Sequence, residues 1–349
     1  MSKRTVLPTV AVALTLGLVA CGGSAGDGGG AGDGVDTLTL GYFPNLTHAP
    51  ALVGVENGIF AEALGDVELR TQTFNAGPDA INALFAGEVD ATFIGPSPAV
   101  NGWSQSDGTA LRIIAGSTSG GAGLVVREGI DGVDDLPGTT LSTPQLGNTQ
   151  DVALRWFARE QGWEVDTEGG GDLSVLPQDN AEIIDAFLLG EIDGAWVPEP
   201  HLSRLIKEGD GRLLVDEADL WPETGGEFVT THLVVRAELL EEDPGAVEDL
   251  LRGHIETIDR INEDSEEAQE VAIAHLEGLT GGRLDPEVVA SAFENVTFTV
   301  DPISGSLRGG AEHAEAVGLL DPVDLEGVYA LDPLNGLLAE RGRDEVAGF

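Results

Sequence analysis

TTLSTPQLGNTQDVALRWFAREQG, running from Thr139 to Gly162, is the stretch from which the fold can be read. Thr139 to Thr143 are β-branched and polar in the way of a short strand. Pro144 to Gly147 interrupt it, and from Asn148 or Thr149 the pattern turns helical. Val152, Leu154, Trp156 and Phe157 supply an apolar helix surface, and Gly162 is placed to end it. The chain thus leaves a strand, makes a turn of small residues and enters a helix. That turn carries Thr143, Gln145, Asn148, Thr149 and Gln150. The unbonded N–H groups of a helix's first turn lie at its positive end and form a ready anion site. A plainer use is also open, since Asn148 or Thr149 can simply cap the helix.

The same grammar recurs on either side. Thr37 to Phe43 (TLTLGYF) alternates like a strand and is followed by a loop at Pro44 to His48. Val67 to Phe74 and Asp90 to Ile94 are further strands, each running into a turn and a helix at Gly77-Pro78-Asp79 and Gly95-Pro96-Ser97-Pro98. Short alternation of strand and helix implies parallel βαβ units with right-handed crossovers. Ile81 to Ile94 (INALFAGEVDATFI) is echoed by Ile184 to Val197 (IDAFLLGEIDGAWV), and each ends in a proline-rich turn. This favours two similar lobes over one large sheet. A second echo, Leu-Val-Val-Arg at Leu124–Arg127 and again at Leu233–Arg236, marks two strands expected to form the crossing pair between lobes. Beyond Arg236, helices are expected from Asp243-Pro244 onward, including Ile303 to Leu320 and Leu325 to Ala339, with a strand at Val296 to Val300.

Charge narrows the partners. The chain has 61 acidic and 17 basic residues among 349, a formal net charge of −44, and its only lysines are Lys3 and Lys207. Nucleic acid and anionic membrane surfaces would be repelled. The amino terminus carries Lys3 and Arg4, then an apolar run from Val6 to Ala20 too short for a comfortable span, then the single cysteine, Cys21. Leu18-Val19-Ala20-Cys21-Gly22 resembles a bacterial lipoprotein signal, which implies cleavage before Cys21 and lipid attachment there. Gly22 to Gly34 (GGSAGDGGGAGDG) reads as a flexible tether. The expected localisation is extracytoplasmic, lipid-anchored to the outer face of the cell membrane. A lone cysteine leaves no internal disulfide framework.

Several chemistries find no support. There is no phosphate-binding glycine motif followed by lysine, no zinc-helix spacing among the six histidines and no Gly-x-Ser-x-Gly elbow. The expectation is a protein that is not an enzyme and uses no cofactor and no metal.

The stretches LGYFPNLTHAPALVG (Leu40–Gly54), FNAGPDAINALFAGEVDATFIGPSPA (Phe74–Ala99), STPQLGNTQDVALR (Ser142–Arg155) and DGAWVPEP (Asp193–Pro200) together resemble the substrate-binding proteins of ABC importers, in the aliphatic sulfonate, nitrate and taurine family. The resemblance implies an α/β, two-lobed periplasmic-binding-protein fold of type II, with two doubly wound lobes joined by a two-strand hinge. The expected division is a signal peptide at 1–20, a tether at 21–35, the first lobe at 36–127, the second at 128–228, and a hinge return with the rest of the first lobe at 229–349. The implied activity is capture of a small organic anion and its delivery to an ABC permease and, through it, an ATPase, by a monomer. A nitrogenous solute such as a pyrimidine vitamin precursor is the alternative, and an enzyme on the same fold a more distant one.

The ligand is expected against Asn45, Thr47, His48, Asn75, Gly77, Gly95 and Ser97 from the first lobe. Thr143, Gln145, Asn148, Thr149, Gln150, Trp196, Glu199 and His201 face it from the second. Trp196 is equally suited to lobe core. Glu199 would repel a sulfonate, so three uses are open to it: facing the permease, accepting a ligand amine or pairing with an arginine such as Arg204.

Overall fold

The computed structural model describes residues 34–349. The expected signal peptide, Cys21 and the expected tether through residue 33 lie outside the described residues.

In the first lobe β1 (Thr37–Tyr42) forms because TLTLGY sets buried Leu38, Leu40 and Tyr42 against half-buried threonines. It is followed by α1 (Ala49–Glu56), α2 (Ile59–Leu64), β2 (Glu68–Thr73), α3 (Gly77–Phe85), β3 (Ala91–Ile94), α4 (Pro96–Gln105) and β4 (Leu111–Gly120). The second lobe contributes β5 (Ala122–Val126), β6 (Thr140–Pro144), α5 (Thr149–Glu160), β7 (Ser174–Gln178), α6 (Asn180–Leu189), β8 (Gly194–Pro198), α7 (His201–Gly209) and β9 (Arg212–Asp216). The chain then returns through β10 (Val229–Arg236), α8 (Ala237–Glu242), α9 (Pro244–Glu263), α10 (Ser265–Thr280), α11 (Pro286–Asn295), β11 (Val296–Phe298), α12 (Ser304–Ala316) and α13 (Asp332–Glu340).

Two sheets result, in the orders β11-β4-β10-β3-β1-β2 and β7-β6-β8-β5-β9. β1 pairs in parallel with β2 and β3, and β6 with β7 and β8. These parallel strands therefore deliver their carboxyl ends, and the turns after them, to the gap between the sheets.

The crossing differs from the expectation. The two Leu-Val-Val-Arg strands are not partners: β5 lies in the second sheet between β8 and β9, and β10 in the first between β3 and β4. The outgoing crossover falls at Gly120–Gly121 rather than after Arg127. Both glycines have positive φ (78° and 71°), and a β-carbon on Gly121 would lie 2.4 Å from the Val296 side chain, so only glycine fits. The return passes beside it, with Gly120 N–H donating to the Phe228 carbonyl (3.1 Å). The hinge is thus two adjacent segments, as a two-strand hinge requires.

Helix α9 forms as its sequence dictates. Asp243 accepts from Ala246 N–H (2.9 Å) as an N-cap, Pro244 opens the first turn, and Val247, Leu250, Leu251, Ile255, Ile258 and Ile261 are buried along one stripe. Towards the carboxyl end the helices are shorter than expected. α12 stops at Ala316 ahead of Gly318 (φ 75°), and no helix starts until Asp332-Pro333 supplies a first-turn proline. β11 likewise ends at Phe298, two residues short of Val300.

Candidate functional site

Turns from both lobes line a cavity of about 450 Å³ between the sheets. Phe43, Asn45 and Asn75 reach it from the first lobe, Asn180, His201 and Arg204 from the second, and Arg283 from beyond α10. A larger hollow of about 790 Å³, lined by Arg308, Tyr329 and Phe349, lies in the carboxyl-terminal region and meets none of the strand-end turns.

Three polar atoms of the inter-lobe lining are buried and unpartnered: Asn45 Oδ1, Asn180 Oδ1 and His201 Nδ1. Buried polar groups are as a rule hydrogen-bonded, so three orphans around one cavity mark where an incoming solute would find partners. Burial, helped by the charge of Arg204, lowers the His201 pKa to about 3, so its ring is neutral near pH 7. Arg204 is held by Glu208 through Nε (3.1 Å) and Nη2 (3.0 Å), and Arg283 by Glu277 (2.8 Å). Glu199 therefore does not pair with Arg204.

Around Asn45 the neighbouring turn residues serve as braces. His48 stacks on Phe43 (4.4 Å between centroids) and accepts the Phe43 N–H at Nδ1 (3.4 Å), while burial lowers its pKa to about 3. Thr47 is buried, and its carbonyl accepts from Thr118 Oγ1 (2.9 Å). Asn75 is exposed at the mouth. Gly77, opening α3, has no room for a β-carbon, which would meet Pro98 at 2.1 Å. Gly95 faces Thr149, and Ser97 is half-buried in the first turn of α4.

The opening stretch of the second lobe is organised differently from the expectation. Asn148 holds the N-cap position of α5, yet its side chain makes no capping bond. Asp151, in the first turn, reaches back to the residues before the helix instead. Its carboxylate accepts from Gly147 N–H (3.0 Å) and Thr143 Oγ1 (2.8 Å), and Arg155 Nε donates to both oxygens (3.1 Å). Asp151 and Arg155 are an almost fully buried pair one helical turn apart. The positive end of α5 thus already holds an internal carboxylate, and the Thr143 hydroxyl is spent on it. Gln145 donates to Asp179 (2.9 Å). Asn148, Thr149 and Gln150 are buried, and the Thr149 hydroxyl is unpartnered.

Two further expectations are redirected. Trp196 is fully buried in the second-lobe core, 5.6 Å from Phe157, and its Nε1 donates to Glu217 (2.7 Å). It sits on a strand flanked by apolar neighbours, and core packing claims it. Glu199 is also fully buried, accepting from Ser203 N–H (3.1 Å), Ser203 Oγ (2.8 Å) and Asn295 Nδ2 (2.7 Å). Burial raises its pKa while those bonds oppose the rise. Because Asn295 belongs to the first lobe, Glu199 ties the lobes together beside the hinge. Sequence reasoning missed Asn180, although it follows a strand as Asn45 does. Arg283 carried no local signal, since only the fold brings it to the cavity.

The NMT1-like family model matches residues 31–276. A putative binding protein of Brucella abortus (strain 2308) is 25% identical over 273 residues, covering 76% of this chain and 82% of the relative. The taurine-binding periplasmic protein of Escherichia coli K12 is 27% identical over 210 residues, covering 59% of this chain and 61% of that one. Among solved structures, the periplasmic nitrate-binding protein NrtA from Synechocystis PCC 6803 superposes with a TM-score of 0.73 at 16% identity, over 88% of this chain and 89% of that one. The alkanesulfonate-binding protein SsuA from Xanthomonas axonopodis pv. citri gives 0.65 at 18% identity, over 83% and 96%.

Proposed function

The chain belongs to the NMT1-like family, and from that premise we propose that it is the extracytoplasmic solute-binding component of an ABC importer. It captures a small organic anion of the sulfonate, taurine or nitrate class between its lobes and hands it to a membrane permease served by an ATPase. The carrying observation is the trio of orphaned atoms, Asn45 Oδ1, Asn180 Oδ1 and His201 Nδ1, drawn from both lobes around one cavity. Arg204 and Arg283 in the same lining support an anionic group. A nitrogenous solute is favoured by one feature: two of the three orphans are acceptors, and Asp179 and Glu208 also line the cavity.

Native mass spectrometry of the purified protein with taurine, other sulfonates, nitrate and pyrimidines tests this. Retention of a sulfonate or nitrate, weakened in Arg204→Ala and Arg283→Ala, supports the anion reading. Each lost bond should cost about 1.5–3 kcal/mol, roughly ten- to hundredfold in affinity. Retention of pyrimidines alone would transfer the proposal to the second reading. The protein is further proposed to act as a monomer held by lipid at Cys21. Unchanged lipid labelling in Cys21→Ser would remove the anchor.

A further inference from the structure

Helix α5 presents two faces to two lobes. Leu154, Phe157 and Ala158 pack into the core of its own lobe. Val152 instead joins Leu307, Ala311 and Ala314 in a core cluster of the first lobe. Val152, Trp156 and Arg159 are four and three residues apart, so they share one helical stripe. The whole stripe meets α12. The Trp156 ring lies on His313 with centroids 4.3 Å apart and planes 10° from parallel, and Arg159 Nη1 donates to the Ala316 carbonyl (2.8 Å).

The contact extends to the hinge. His313 is also met by Trp221, 5.0 Å away, and Trp221 stacks on Phe228 at 5.9 Å in the returning segment. Burial lowers the His313 pKa to about 4, with Glu223 opposing, so a neutral ring sits in the stack near pH 7. None of these residues lines the inter-lobe cavity. Opening the lobes would strip Val152 and Trp156 from α12, exposing apolar surface to water and leaving Arg159 without its carbonyl.

We propose that the α5–α12 contact is a built-in clasp, in which the Val152–Trp156–Arg159 stripe and His313 hold the two lobes closed without any ligand group taking part. It goes beyond the transport reading, because it sets the open–closed balance of the protein whatever solute is carried.

Small-angle scattering of the full-length, ligand-free chain tests it. The parent should be compact. Trp156→Ala and His313→Ala should raise the radius of gyration, while His313→Phe, which keeps a neutral stacked ring, should stay at the parent value. Far-UV circular dichroism separates opening from unfolding. Should Trp156→Ala unfold, Arg159→Ala at an exposed position reads the same contact and should expand by a smaller amount. Superimposable curves for the parent, His313→Ala and Arg159→Ala would overturn the clasp, as would an expanded parent. Expansion of His313→Phe to the extent of His313→Ala would overturn the stacked ring as its holding element.

Discussion

Gly95 of the first lobe lies against Thr149 of the second so closely that a β-carbon on Gly95 would come within 2.6 Å of the Thr149 hydroxyl. The Gly95 backbone has ordinary angles (φ −68°, ψ 157°), so glycine is required there by the approach of the other lobe and not by backbone conformation. Gly95→Ala should therefore leave each lobe's fold intact while propping them apart. The expected result is a larger radius of gyration and weaker binding of whichever probe the parent retains. Adding Thr149→Ala should restore the parent's dimensions. A double variant as expanded as Gly95→Ala would place the obstruction elsewhere.

The buried Asp151–Arg155 pair governs the turn that carries Asn148 and Thr149. Removing one partner leaves a buried charge unpaired, which typically costs about 3–5 kcal/mol. Asp151→Asn and Arg155→Met should each destabilise by that order in urea denaturation. The double variant should lose less than the two single losses together, because neither charge is then stranded. Additive losses would show that the pair is not coupled in this way.

Glu217 gives the protein an unusual alkaline weakness. Burial raises its pKa from 4.5 to about 7, with Trp196 Nε1 donating to it and the Asp216 charge nearby. A raised folded pKa contributes stability that is fully present below about 4.5 and lost as pH rises through about 7. The buried histidines act oppositely: lowered from 6.5 to about 4 for His232 and His254, they favour the fold above 6.5 and cease to as pH falls towards 4. Glu217→Gln removes only the first effect. Relative to the parent it should match at about pH 4 and gain up to about 3 kcal/mol at about pH 8. An equal difference at both pH values would refute the assignment.

Salt should reveal the charge of the solute. The formal charge of −44 opposes an approaching anion, and ions screen that field. For an anionic solute the association rate in stopped-flow fluorescence should rise with salt, with a smaller effect on release. An association rate that falls with salt would favour the cationic, nitrogenous alternative.

Local pattern carried most of the fold. Alternation in Thr37–Tyr42, Pro78 in the first turn of α3, and Asp243-Pro244 at the start of α9 are each decided by neighbours within a few residues. So the sequence alone determined the strand–helix order and that the turns after parallel strands would converge. The end of α12 and the start of α13 were less legible, because they depend on how Gly318 and the residues beyond it pack.

Tertiary structure decided how individual side chains are used. Trp156 and Phe157 adjoin in one apolar run, yet Phe157 enters the core of its own lobe and Trp156 stacks on the other. Successive helical positions point about 100° apart, and only the packed neighbours say which face meets which lobe. The same holds for Thr143 and Glu199. Each looked free to meet a ligand, and each is bonded to a residue, Asp151 or Asn295, whose nearness arises only when the chain is folded. Hydrogen-bonding capacity is a property of the residue; whether it is already spent is a property of the fold.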